Sequence, residues 1–147
     1  MSYMRFTRAG FLGVFAMAIM VLVLPGQGVA ANRATQTARG RYLVDEVAKC
    51  GDCHSPHNAM GQVVSGKDLS GAKLVFVPLH PVPGWAAVAP PIAGLPSVTT
   101  DQAMRLLTMG IAPTGKPPAP PMPVYRMSHA DAAAIVAYLR SLKPAGN

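Results

Sequence analysis

The sequence predicts an all-α fold of three to five short helices joined by long loops. Apolar residues recur at helical spacing in three segments, residues 38–49, 99–109 and 130–142. Proline punctuates most of the remainder, and 14 of the 15 prolines follow residue 30. Val, Ile and Leu supply only 23 of the last 117 residues, which is little material for a core. Because long loops in one domain usually surround something, we expect a bound group to complete the interior.

The N-terminal segment has the pattern of a secretory signal. Two arginines precede an uncharged stretch of 16 residues, 9–24, and small residues follow at Gly28 and Ala30. This order predicts a signal peptide at 1–30 and an exported domain at 31–147. The alternative is an uncleaved membrane anchor, although a spanning helix needs about 20 apolar residues.

The charge balance is basic but not that of a nucleic-acid-binding protein. The chain carries 13 Lys+Arg against 6 Asp+Glu, a formal net charge of +7. Without Arg5 and Arg8 the balance is 11 against 6, or +5, and it contains no long basic run. We therefore expect protein partners and no nucleic acid. Only 13% of residues are charged, which argues against a disordered chain.

Each predicted helix has boundary signals. The first follows a polar lead-in at 32–37, and Gly51 lies just beyond its end. The other two begin at residues with capping-box spacing and end before a stop residue. These residues are Thr99, Gln102 and Gly110 for the second helix, and Ser128, Asp131 and Pro144 for the third.

The segments between the helices read as loops. Residues 55–98 contain repeated Gly and Pro turns, with one short strand predicted at 74–77. In residues 113–123, six of the 11 residues are proline, which excludes a helix there.

Chemistry is concentrated in Cys50-Gly51-Asp52-Cys53-His54. Two thiols three residues apart on one turn match the two vinyl groups of a haem, and the adjacent His54 supplies a nitrogen ligand to its iron. This C-x-x-C-H pattern predicts covalent haem c, and a porphyrin also explains the small supply of core residues.

Three other interpretations of the two cysteines fit the sequence less well. A thioredoxin-like redox pair requires a βαβ context, which the sequence lacks. A zinc site requires four ligands, and the extra histidines have no ligand-pair spacing. A disulfide across so short a loop leaves His54 unexplained.

The sixth iron ligand is less directly marked. The candidates are Met60, Met104, Met109, Met122, Met127, His57, His80 and His129. Met122 is favoured because prolines on both sides stiffen its loop and help to aim a weak thioether ligand. Met104 and Met109 suit core packing on a helix, and Met127 suits packing beside the last helix.

The motifs in chain order resemble the class I c-type cytochromes over about residues 35–143. The matching segments are Gly40-Arg41-Tyr42 before CGDCH, Pro90 to Leu95, Pro121-Met122-Pro123 and Ala137 to Leu142. The resemblance implies that the first and last helices cross at Gly40, near Tyr138. It also implies that the Pro90 carbonyl accepts a hydrogen bond from His54.

The same residues imply electron transfer rather than catalysis. The ending from Ala119 to Leu142 is similar to cytochrome modules of periplasmic alcohol, aldehyde and sugar dehydrogenases. We therefore expect a periplasmic one-electron carrier with iron bound by His54 and Met122, serving a dehydrogenase, an oxidase or another cytochrome. The alternatives are a haem subunit of a dehydrogenase complex, or a ligand-binding or peroxidatic haem protein. The membrane association that a retained anchor would bring stays open.

Overall fold

The computed structural model describes residues 26–144, so the predicted signal segment lies almost entirely outside the described residues. The elements are α1 (Gly26–Tyr42), a π-helical turn (Leu43–Val47), α2 (Gly51–His54), β1 (Ala72–Lys73), β2 (Val88–Ala89), α3 (Thr100–Met109) and α4 (His129–Ser141). In this part of the chain, no helix is long and apolar enough to cross a bilayer.

The first helix differs from its prediction at both ends. It is already helical at Gly26, the first described residue, so the polar lead-in at 32–37 is helical. Its residues are mostly exposed and form no buried stripe that would give a helical periodicity, while Ala34 favours helix. After Tyr42 the α-helix gives way to the π-helical turn, and the Ala48 N–H donates to the Leu43 carbonyl at 2.8 Å.

Both later helices confirm their predicted boundaries. Thr99 forms a complete capping box with Gln102, and Gly110 ends α3 in the left-handed conformation at φ 61°. At α4 the Ser128 hydroxyl accepts from the Asp131 N–H at 3.1 Å. The Asp131 carboxylate instead pairs with Arg39 on α1 at 3.0 Å, which joins the first and last helices.

A minimal sheet modifies the all-α prediction. β1 and β2 pair antiparallel, with Ala72 opposite Ala89 and Lys73 opposite Val88. The strand predicted at 74–77 is wrong in its position. Only Leu74 continues the pairing, with its N–H donating to the Ala87 carbonyl at 2.9 Å. Beyond Leu74 the chain bends at Val75, and the side chains of Val75, Phe76 and Val77 are exposed. They do not pack against a neighbouring strand, which is the contact that stabilises a strand.

The core lies where α1 and the π-helical turn pack against α4. Val44 and Ile135 are fully buried at this contact. Gly40 makes the close approach possible, because a Cβ placed there would overlap the Ala134 carbonyl and lie 2.7 Å from the Tyr138 Cβ. The helix crossing that the family resemblance implied is therefore present, and it depends on residue 40 being a glycine, which has no side chain.

Substituting Gly40→Ala is expected to destabilise the fold by on the order of 3 kcal/mol, since the new methyl group meets backbone that cannot move independently. Chemical denaturation of the haem-loaded protein measures the change. The control is Gly51→Ala, where the nearest atom to the added Cβ is the Ser55 Oγ at an ordinary 3.5 Å. Equal stability of the two variants would show that α1 and α4 are not held at this distance.

Candidate functional site

The C-x-x-C-H segment follows the π-helical turn that ends the first helical region. The Cys50 N–H donates to the Val44 carbonyl at 3.0 Å, and Lys49 adopts a left-handed φ of 49°. This reversal starts α2, in which the His54 N–H donates to the Cys50 carbonyl at 2.9 Å. Residues at i, i+3 and i+4 share a helix face, so both thiols and the imidazole are presented together.

Cys50 and Cys53 are not joined to each other in a disulfide in the described structure. Burial raises the pKa of Cys50 to about 11, and burial together with the Asp52 carboxylate raises the pKa of Cys53. Within residues 26–144 no group of three or more His, Cys, Asp or Glu side chains is placed to hold a metal ion. The two thioether links of a haem require cysteines that are not paired with each other, and Cys50 and Cys53 meet this requirement.

His54 is buried and held in one tautomer. Its Nδ1 lies 2.7 Å from the Pro90 carbonyl oxygen. A carbonyl only accepts, so Nδ1 carries the proton and the lone pair is on Nε2, the nitrogen that would face a metal. Burial lowers the pKa of His54, and the hydrogen bond to Pro90 opposes part of that shift. Burial therefore favours the neutral ring, which is the form that ligates a metal.

The Pro90 carbonyl is fixed by the segment that follows β2. The Ile92 N–H donates to the Leu69 carbonyl at 2.9 Å, and the Gly94 N–H donates to the Leu139 carbonyl of α4 at 2.8 Å. The Arg140 guanidinium donates to three carbonyls of the same segment, those of Gly94, Leu95 and Val98. Arg140 carries no signal of this role in the sequence, since an arginine in the last turn of a helix is ordinary.

The candidate sixth ligands differ in their surroundings. Met60 is 78% exposed and Met109 is 52% exposed, whereas Met104 and Met127 pack against the buried core. Met122 is half-buried and is not part of that core cluster. Its loop is tied to the segment before Pro90, because the Ala86 N–H donates to the Pro120 carbonyl at 2.7 Å.

The histidine candidates are less suited to iron. His80 and His129 are exposed, and His57 is half-buried in a loop that follows α2. The sequence proximity of His57 to His54 keeps both on the same side of the site. Met122 therefore remains the favoured candidate for the sixth iron ligand, because its side chain lies outside the core cluster and is partly shielded from solvent.

The decisive comparison is with protein families. The family model for cytochrome c matches residues 37–143, from the middle of α1 to the end of α4. The chain belongs to the cytochrome c family. It therefore carries iron in a covalently bound haem c, and Cys50 and Cys53 fit the attachment motif.

Curated relatives of this cytochrome include subunits of dehydrogenases. The chain is 32% identical over 112 residues to the fructose dehydrogenase cytochrome subunit of Gluconobacter japonicus, covering 71% of this chain and 21% of that protein. It is 33% identical over 119 residues to a nicotinate dehydrogenase subunit of Pseudomonas putida, covering 76% of this chain and 9% of that protein. A diheme cytochrome c-type protein of Cereibacter sphaeroides is 38% identical over 47 residues, 32% of this chain and 16% of that protein.

The matches cover only a small part of each of these relatives. The chain spans about a fifth of the first relative and about a tenth of the second. What is shared is the cytochrome module, so the cytochrome acts as an electron-transfer haem protein and not as an enzyme on its own.

One buried donor tests whether the described residues suit the haem. The Trp85 Nε1 is the buried side-chain nitrogen that has no hydrogen-bond partner in residues 26–144. Leaving such a donor unpaired costs about 1–3 kcal/mol. A haem carries two propionates, whose carboxylate oxygens are acceptors of the kind this donor lacks. Trp85 is the single tryptophan of the chain, and sequence analysis did not assign it to the site.

Proposed function

We propose that this cytochrome is an exported, periplasmic one-electron carrier in which His54 and Met122 ligate the haem iron. The observation that carries the proposal is the 2.7 Å contact between the His54 Nδ1 and the Pro90 carbonyl. It orients a neutral imidazole directly after two cysteines of an attachment motif, which is the arrangement a permanent axial ligand requires.

The protein's own residues set the redox properties. When bound, the haem supplies reversible one-electron chemistry at its iron. His54 is held from behind by Pro90, and Pro90 is held in turn by the Arg140 and Leu139 contacts. Met122 offers a thioether from a proline-stiffened loop, and such a ligand favours ferrous iron and raises the potential.

Partners are proposed from charge and from the relatives. Excluding the predicted signal, the balance of 11 Lys+Arg against 6 Asp+Glu favours acidic redox proteins and a salt-sensitive encounter. The named functions of the relatives make a dehydrogenase the first candidate donor. An oxidase or another cytochrome is the corresponding acceptor. A haem subunit held permanently in a dehydrogenase complex is the second candidate function, and the same relatives favour it.

Spectroscopy and potentiometry of the purified haem protein test the proposed function. The oxidised protein is expected to show the Met–iron charge-transfer band at the red end of the spectrum, and to titrate as one electron per haem. Exogenous cyanide or carbon monoxide should bind slowly or not at all, since both axial positions are filled. Rapid ligand binding without the charge-transfer band would favour the ligand-binding or peroxidatic alternative.

Export predicts the N-terminus of the mature protein. Edman sequencing of the periplasmic fraction is expected to begin near Ala31, because the small residues Gly28 and Ala30 precede that position. A chain that still begins at Met1 and fractionates with membranes would contradict cleavage and indicate an anchored haem domain.

A further inference from the structure

Ser55 is a buried polar residue that the ligation of iron does not itself use. It follows His54 directly, lies just beyond the end of α2, and is only 2% exposed. Its Oγ accepts a hydrogen bond from the Leu69 N–H at 2.9 Å, across 14 residues of chain. Burying a hydroxyl costs free energy unless it is hydrogen-bonded, so the bond to Leu69 is what makes a serine tolerable at this position.

Leu69 has a backbone conformation that needs support from its surroundings. Its φ is 54°, in the left-handed region that leucine rarely adopts, because its Cβ then crowds the following carbonyl oxygen. Its side chain is buried in the core cluster, which fixes one side of the residue. The hydrogen bond from its N–H to the Ser55 Oγ fixes the peptide that enters it. The hydroxyl therefore stabilises the direction in which the Leu69 carbonyl points.

The Leu69 carbonyl holds the turn that carries Pro90. It accepts hydrogen bonds from the N–H groups of Ile92 and of the next residue, at 2.9 and 3.1 Å. Pro90 lies two residues before Ile92, and its carbonyl oxygen is 2.7 Å from the His54 Nδ1. The series of contacts that starts at Ser55 therefore returns to His54, its neighbour in the sequence.

The chain that follows Leu69 packs directly against the same turn. The Gly71 N–H donates to the His54 carbonyl at 2.7 Å. A Cβ placed at Gly71 would lie 2.8 Å from the Pro91 nitrogen and 3.0 Å from the Ala89 carbonyl oxygen. With no gap between these backbones, a displacement of Leu69 is passed on to the Pro90 carbonyl rather than absorbed.

We propose that Ser55 is a positioning residue for His54, acting through Leu69 on the hydrogen bond between the Pro90 carbonyl and the imidazole. The proposal rests on the proposed ligation of iron by His54. A firm hydrogen bond at Nδ1 makes the imidazole a more basic ligand, which favours ferric iron. Removing the Ser55 acceptor leaves the Leu69 N–H buried without a partner, loosens the turn and weakens that bond. The midpoint potential should then rise.

NMR spectroscopy and potentiometry of the haem-loaded protein test this role. Ser55→Ala is expected to speed exchange of the His54 Nδ1 proton in the ferrous protein by about tenfold. It should also shift the equilibrium between the two oxidation states about threefold toward ferrous iron. A threefold shift corresponds to a rise of about 30 mV, since a tenfold change is 59 mV for one electron.

Two further substitutions separate the hydroxyl from its packing. The side chains introduced by Ser55→Thr and Ser55→Val have one shape, and only threonine keeps the oxygen acceptor. Ser55→Thr should therefore retain the wild-type proton exchange and potential relative to Ser55→Val, which should behave as Ser55→Ala.

Ser128→Ala is the matched control. The Ser128 Oγ also accepts a backbone N–H, that of Asp131 at 3.1 Å, but it does so at the start of α4, far along the chain from the Pro90 turn. Its removal should reduce stability and leave the His54 proton and the potential unchanged.

Three results would overturn the positioning role. Lower stability of Ser55→Ala with unchanged proton exchange and potential would make Ser55 purely structural. Equal behaviour of Ser55→Thr and Ser55→Val would assign the effect to packing. Rapid exchange of the Leu69 amide in the wild-type protein would show that the bond to Ser55 does not form, and this measurement needs no variant to fold. The Met–iron band is recorded on the same samples. Its absence from the wild type would refute the proposed Met122 ligation, while the His54 proton would still decide the role of Ser55.

Discussion

Replacing Met122 with alanine is expected to remove the sixth iron ligand while leaving the covalent haem in place. Met122 is half-buried and lies outside the core cluster, so the truncation should cost little stability. Loss of the thioether removes its preference for ferrous iron, and the midpoint potential should fall by about 0.1 V or more. The Met–iron charge-transfer band should disappear, and the iron should then bind added imidazole or cyanide.

Met127→Ala is the matched control for that experiment. Met127 packs against the core, and its N–H donates to the Leu107 carbonyl at 3.0 Å. Its truncation should reduce stability and leave the band and the potential nearly unchanged. If Met127→Ala abolishes the band and Met122→Ala does not, the assignment is wrong by five residues. If neither does, another methionine supplies the thioether. If the wild-type protein itself lacks the band, a histidine ligand or an open iron position must replace the assignment.

Removing one attachment cysteine is expected to have the other large effect. Cys53→Ala should leave at most one thioether link and lower the yield of haem-loaded protein by about an order of magnitude. The physical reason is that the haem supplies much of the apolar interior, so folding and haem retention are coupled. Denaturing mass spectrometry should find one haem mass on the wild-type chain and little on the variant.

Asp52→Ala is the control for the attachment prediction. Asp52 lies in the same helical turn between the two cysteines, and it is exposed. Its removal should preserve both links. Two free thiols in wild-type protein from a host that matures c-type cytochromes would contradict covalent attachment. Equal haem content in Cys53→Ala and Asp52→Ala would show that one link suffices for retention.

Local chemistry made several features predictable from sequence. The capping pairs Thr99 with Gln102 and Ser128 with Asp131 predicted where α3 and α4 begin, because a side chain within three residues satisfies the free N–H groups. The attachment motif was equally readable, since its spacing of three residues is itself one turn of helix.

Features that depend on distant parts of the chain were not predictable from residue patterns alone. The exposed residues 30–35 of α1 carry no apolar periodicity, so the sequence did not predict that the helix extends N-terminal to Ala38. The π-helical turn and the left-handed Lys49 redirect the chain into α2, and no local residue pattern signals them. Trp85 became informative only when its Nε1 proved to be buried without a partner in the described part of the chain.

The sequence by itself determined the attachment motif, the two capped helices, the proline-rich Met122 loop and, through their order, the family. Each of these is encoded within a few neighbouring residues, where side-chain type directly dictates backbone or chemistry. Two long-range contacts were expected only through the family resemblance: the approach of the Pro90 carbonyl to within 2.7 Å of the His54 Nδ1 across 36 residues of chain, and the contact of Gly40 with the Ala134 backbone. The tertiary structure alone decided that Arg140 donates hydrogen bonds to the segment that follows Pro90. Such contacts depend on how loops close across the whole domain, and loop closure is an outcome of packing rather than of local preference.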